Sequence, residues 1–244
     1  MAEFPEPFYA TGPAPEGKVM VGEKPPELVA SDLAAGVARI GGFWRHPNYF
    51  EAYLYSATLL IEQGQIKGTL DEIGLPAFYL QRHAVELLLK DLLHWLIYIA
   101  DLRTQLHVST YEPPQGAVKA QATSHNLKKL LEFIVQVSTE MALPAPPVEL
   151  GILIADMSQF ELTETWARYS SSYVLQKSEV ATTKLHVKHV EEVIEIPIVA
   201  FQQRLVAVAK LAISREPGGE SYEDILYDEW SPLNSALNHI RLDD

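Results

Sequence analysis

The chain has 244 residues, of which 48% are hydrophobic, and this is enough to build one sizeable core. It contains no cysteine, which excludes disulfide bonds, thiolate metal sites and a cysteine nucleophile. A formal net charge of −13 repels phosphate groups over most of the surface, so no extended nucleic-acid surface is expected.

The N-terminal part of the chain predicts an extended arm. Six prolines fall among the first 30 residues, and we assign residues 1–44 to this arm. It has neither the basic nor the apolar segment of a signal peptide. The longest apolar stretch, 86–102, is interrupted by Lys90 and Asp91, which disfavours a membrane span. We therefore expect a cytoplasmic protein with no membrane partner.

Hydrophobic periodicity predicts an all-α fold of five or six helices over residues 45–214. Prolines and candidate caps mark the expected helix boundaries. The predicted helices span 47–65, 76–103, 123–141, 147–165 and 188–213, the last with a kink at Pro197 and the third capped by Thr123 or Ser124.

Two segments are expected to depart from the main bundle. The stretch 169–187 alternates polar and apolar residues and is rich in Ser, Thr, Val and Tyr, which favours a short β-hairpin. Residues 215–244 are predicted to form one or two short amphipathic helices that pack on the bundle.

The second predicted helix carries a polar seam on an otherwise apolar surface. His83, Glu86, Lys90, His94 and Asp101 are spaced by three, four, four and seven residues, which places them on one helix face. Glu86 and Lys90 have the spacing of an intrahelical ion pair. The seam is either a solvated or internally satisfied edge, or the polar wall of a pocket.

Two other groups of histidines are candidates for chemistry. His125 follows a probable helix cap, where the helix dipole favours the neutral imidazole and a hydrogen-bonding or base role, although a structural bond would explain it as well. His186 and His189 stand three residues apart and could share a helix face with Glu192, a weak metal-like pattern. We predict neither a bound metal nor a cofactor.

Three pieces of the chain occur in an order that resembles a prokaryotic branch of the HEPN superfamily. They are "YLQRHAVELLLKDLL" at 79–93, "SHNLKKLLE" at 124–132 and "ARYSSSY" at 167–173. The resemblance covers roughly residues 45–210. It implies an up-and-down helical bundle that commonly pairs as a homodimer.

The resemblance also implies a function in prokaryotic stress or phage-defence systems. Many HEPN proteins are metal-independent endoribonucleases, and others are inactive partners or scaffolds. Active members carry an Arg followed a few residues later by His, a pair suited to acid–base cleavage at phosphate. Here Arg168 and Arg204 have no such His, and we interpret the Arg39 and His46 pair as coincidence.

Six residues from the recognisable pieces could converge in a compact bundle. They are the candidate catalytic residues His83, His125 and Arg168 and the candidate binding residues Glu86, Lys90 and Tyr169. The set is either a buried network that fixes helix register or a pocket for an anionic ligand or RNA end.

Two functions follow from this set. The preferred one is a HEPN-like protein that binds a protein, nucleotide or RNA partner without the usual catalytic pair. The alternative is a metal-independent endoribonuclease in which His83 and His125 transfer protons and Arg168 contacts phosphate. Whether the protein is an enzyme stays open at the level of sequence.

Overall fold

The computed structural model describes residues 26–38, 49–160, 171–177, 182–188, 193–213 and 220–243. The chain divides into two compact units, residues 1–52 and residues 53–244. The described part is helical apart from one two-stranded sheet.

The described residues contain eight helices and two strands, and six of these helices lie within 45–214, where five or six were expected. In chain order, the elements are α1 (Pro26–Ala35), α2 (Tyr49–Lys67), α3 (Leu70–Gln105), α4 (Gln115–Thr123), α5 (Leu127–Glu140), α6 (Val148–Met157), β1 (Ser171–Lys177), β2 (Thr182–Lys188), α7 (Ile198–Ala212) and α8 (Tyr222–Asp243).

Helix α1 lies where the sequence favoured an extended arm. Pro26 is its first residue, a position where the missing N–H is not needed. Gly36 follows its last residue with φ +62°, and the Val37 N–H donates to the Asp32 carbonyl over 2.9 Å. Pro26 and Gly36 are ordinary signals for the start and the end of a helix, but the many prolines before them led to the prediction of an extended arm.

Helix α3 is the centre of the second unit. It is 36 residues long and packs against α4, α5, α7 and α8. Its leucines at positions 88, 89, 92, 93 and 96 are buried and lie along one broad face of the helix. It begins at Leu70, before the predicted start at Pro76, and continues through this proline, which is its seventh residue.

Polar contacts join α3 to its neighbours at both ends. The Gln81 amide donates to the Ile198 carbonyl (2.7 Å) and to Gln202 Oε1 (3.0 Å) on α7. Near the other end, Arg103 donates to Glu229 Oε1 on α8 and to the Met141 carbonyl after α5. These bonds fix the positions of α5, α7 and α8 along α3.

Two predicted helices differ from the observed ones. Residues 193–197 are not helical and α7 begins directly after Pro197, so the predicted kink at Pro197 is wrong and the proline instead precedes the first turn. The C-terminal segment is one helix of 22 residues with Pro232 inside it, rather than short pieces.

The predicted hairpin is present, since strands β1 and β2 pair antiparallel with Ser171 opposite Lys188 and Tyr173 opposite His186. Within the described ranges, none of the helices combines the length and apolar character needed to span a lipid bilayer.

Candidate functional site

The candidate site is built by one face of α3 and by the residues that lead into α5. Arg82, Glu86 and Lys90 occupy successive turns of α3, four residues apart, so their side chains project from the same face. His125 precedes α5. The predicted caps Thr123 and Ser124 do not cap α5, because the side chain of Asn126 accepts the Lys129 N–H over 3.0 Å.

Glu86 is the centre of this group, which we call the Glu86 cluster: Arg82, Glu86, Lys90 and His125. Its Oε1 lies 3.0 Å from Lys90 Nζ and 2.9 Å from His125 Nδ1. Its Oε2 lies 3.2 Å from Arg82 Nη1. Only 2% of the Glu86 side chain is exposed, so these three partners take the place of water around the carboxylate.

Arg82 links the two elements through the backbone as well. It is buried, and its Nη2 donates to the His125 carbonyl over 2.6 Å. One guanidinium group therefore contacts the Glu86 side chain on its own helix and the chain that leads into α5. This contact fixes the position of His125 relative to α3.

Opposing effects set the ionisation of Glu86. Burial by itself would raise the pKa of this carboxyl group, but hydrogen bonds and charge from Lys90 and His125 lower it below its ordinary value of 4.5. The net direction is downward. Glu86 is therefore ionised at neutral pH, and its charge is retained in the folded interior.

Two side chains of the cluster are exposed enough to contact a ligand. The His125 side chain is 42% exposed and that of Lys90 is 16% exposed, whereas Glu86 and Arg82 are buried. When Nδ1 of a neutral histidine donates to a carboxylate, its Nε2 is left as an acceptor. The cluster can thus present an imidazole nitrogen and an ammonium group to a ligand from a rigid helix.

The structure brings together three of the six predicted site residues, namely Glu86, Lys90 and His125. His83 lies against aromatic rings, with ring centroids 4.5 Å from Tyr53 in an edge contact and 5.6 Å from Tyr79 in a stacked one. The predicted residues Arg168 and Tyr169 lie outside the described residues.

The C-terminal half of the polar seam has different surroundings. His94 stacks on Tyr98 with ring centroids 6.3 Å apart, and Asp101 accepts a hydrogen bond from Gln105 over 2.7 Å. Both residues line a groove beside α4 rather than the Glu86 cluster. A single helix face therefore carries two separate polar regions.

Sequence reasoning missed Arg82, although a signal for it was present. Arg82 stands four residues before Glu86, as Lys90 stands four residues after it, so the three form a run of opposite charges at helical spacing. The five-residue seam started at His83 and left out this adjacent position. With both cations present, each oxygen of the buried Glu86 carboxylate has a charged hydrogen-bond partner.

The described residues contain no group of three or more His, Cys, Asp or Glu side chains placed to hold a metal ion. Glu86 and His125 are two such side chains in contact, and the cations Arg82 and Lys90 also pair with Glu86, which disfavours a metal ion there. Of the weaker metal pattern, the backbone of His186 lies in β2, whereas His189 and Glu192 lie outside the described residues.

No protein-family model matches the chain, and no significant match is found among curated proteins or solved structures. The resemblance to HEPN proteins therefore stays a prediction from sequence motifs.

Proposed function

We propose that this chain is a HEPN-like protein of a prokaryotic stress or phage-defence system, and that it acts by binding an RNA or nucleotide partner rather than by efficient catalysis. The exposed edge of the Glu86 cluster, formed by Lys90 and His125, contacts a phosphate of that partner. We further propose a cytoplasmic homodimer, for which sedimentation equilibrium would give twice the chain mass of 27.3 kDa.

One observation carries the proposal: two permanent cations surround one buried carboxylate. These cations are Arg82 and Lys90, and Lys90 carries its ammonium group at the partly exposed edge of the cluster. In a chain with a formal net charge of −13, this positively charged edge marks a local place where an anion is favoured. A phosphate can accept hydrogen bonds from the ammonium group of Lys90 and, when His125 is protonated, from its Nε2–H.

The order of the motifs agrees with this proposal. The pieces at 79–93 and 124–132, which carry the family resemblance, are the two that supply the Glu86 cluster. The missing Arg–His pair argues against efficient cleavage. Binding without turnover accounts for both features.

The proposal predicts that Lys90→Ala weakens the binding of labelled single-stranded RNA by about tenfold, because one charge-assisted contact is lost. The measurement is fluorescence anisotropy at fixed ionic strength. The matched control is Lys67→Ala, which removes an exposed positive charge in the last turn of α2. Equal loss of affinity in both variants, or no binding by the unaltered protein, would contradict the proposal.

A metal-independent endoribonuclease is the second candidate, and one contact favours it. The 2.9 Å contact between His125 Nδ1 and the ionised Glu86 orients the imidazole, as a carboxylate does for a catalytic histidine. His125 would then move the proton of the RNA 2′-hydroxyl. RNA cleavage that persists in EDTA and disappears in His125→Ala would establish this function.

A further inference from the structure

A groove lies on the other polar region of α3, beyond the Glu86 cluster. The C-terminal half of α3, the segment that follows it and helix α4 enclose a volume of about 380 Å³. This is within the usual size of small ligand pockets, roughly 300–1,000 Å³. We call it the acidic groove, and its lining includes His94, Tyr98, Asp101, Thr104, Glu112 and Val118.

The formal charges of the acidic groove have one sign. Among the described residues that line it, those with permanent charge at neutral pH are Asp101 and Glu112, and both are exposed. They come from different segments, α3 and the stretch before α4, and converge on the same space. Asp101 accepts a hydrogen bond from Gln105, which holds its carboxylate in place. The groove therefore favours a cation and disfavours phosphate.

The walls of the acidic groove suit a flat cation on an apolar stem. The rings of His94 and Tyr98 lie nearly parallel, with 11° between their planes, and form an aromatic wall. Val118 and Pro113 supply apolar surface beside the carboxylates. A guanidinium group can stack on an aromatic ring while it pairs with carboxylates, and its aliphatic stem can cover apolar side chains.

We propose that the acidic groove binds an arginine side chain of a partner protein. Asp101 and Glu112 pair with the guanidinium group, Tyr98 stacks on it, and Val118 contacts the aliphatic stem. This site is separate from the Glu86 cluster and has the opposite charge preference, so it does not rest on the proposed RNA binding. The chain would then hold an anionic and a cationic partner at different places on one helix.

The test compares two labelled peptides of glycine and serine that differ in one residue type. One peptide contains arginine and the other contains citrulline, which has nearly the same shape without the charge. Fluorescence anisotropy with the full chain measures both. We expect the arginine peptide to bind at least about tenfold more tightly, since citrulline cannot form the ion pairs or the cation–π contact.

Matched double variants separate the groove from the overall negative charge. Asp101→Asn with Glu112→Gln removes two negative charges inside the groove. The control, Glu62→Gln with Asp71→Asn, removes two exposed negative charges from α2 and the start of α3. We expect about tenfold weaker binding of the arginine peptide in the groove variant and little change in the control.

A single substitution provides a second test that does not alter the carboxylates. Val118 is 48% exposed, so Val118→Arg is expected to fold, place its own guanidinium group in the groove and compete with the peptide. Thermal melts check that each variant is folded. Equal binding of both peptides, equal losses in the two double variants, or no binding of the arginine peptide by the unaltered chain would overturn the proposal.

Discussion

Glu86 belongs both to a buried network and to a candidate ligand site, the two alternatives that the sequence left open. Its carboxylate is buried and holds Arg82, Lys90 and His125, which is the arrangement of a network that fixes helix register. The same contacts place Lys90 and His125 at the surface, as a ligand site requires. The buried residues Arg82 and Glu86 stabilise the fold, and the partly exposed residues Lys90 and His125 can contact a partner.

Loss of the Glu86 charge should destabilise the fold. In Glu86→Gln, the buried Arg82 loses its ion pair with the Glu86 carboxylate, and we expect the free energy of unfolding to fall by about 3 kcal/mol at neutral pH. Urea denaturation measures this difference. Glu132→Gln, an exposed change on α5, is the control and should have little effect.

The difference between the unaltered chain and Glu86→Gln should also depend on pH. The folded-state pKa of Glu86 lies below 4.5, so its stabilising contribution is fully present above that pH. It is lost as the pH falls through the folded-state pKa, where the carboxylate is protonated. We expect the two unfolding curves to converge on acidification. A difference that stays constant or grows would show that Glu86 acts through something other than its charge.

At the scale of elements, the close approach of α2 and α3 depends on a glycine. A Cβ at Gly64 would lie 2.8 Å from Ile73 Cγ1 and 3.2 Å from Leu70 Cδ2, which is too close for an ordinary contact. Nothing lies within 4 Å of a Cβ at Gly74 on α3. A side chain would therefore be crowded at Gly64 and unhindered at Gly74, although both glycines lie near the junction of α2 and α3.

The two glycines give a paired prediction. Gly64→Ala should destabilise the fold by about 1–2 kcal/mol, because crowding against Ile73 outweighs the gain in helix propensity. Gly74→Ala should stabilise it by up to about 1 kcal/mol, because only the propensity changes. Thermal or urea denaturation of both variants is the measurement. Stabilisation by Gly64→Ala would mean that Ile73 moves aside easily.

At the scale of the whole molecule, patterns with a local cause were predictable from the sequence. The all-α class, the long central helix and the hairpin after residue 169 follow from hydrophobic periodicity and residue type. So does the contact of Glu86 with Lys90, which needs only the spacing of one helix turn. Glu86 and His125 were both among the six residues expected to converge, but their direct contact depends on the packing of α5 on α3.

Features that depend on tertiary packing were harder to predict. The two prolines were assigned wrongly in opposite ways: α3 continues through Pro76, which was predicted to begin it, and α7 begins after Pro197, which was predicted to lie inside it. The bond from Arg82 to the His125 carbonyl joins residues 43 positions apart and has no local sequence signal. The groove that His94 and Asp101 line likewise depends on α4, which was not among the predicted helices.

The central claim is that the outer edge of the Glu86 cluster binds RNA without cutting it. The most direct measurement incubates end-labelled single-stranded RNA with the purified chain in EDTA and analyses it on native and denaturing gels. We predict a shifted band on the native gel, lost in Lys90→Ala but kept in Lys67→Ala, and intact RNA on the denaturing gel. Cleavage products that vanish in His125→Ala, or the absence of any shift, would contradict the account.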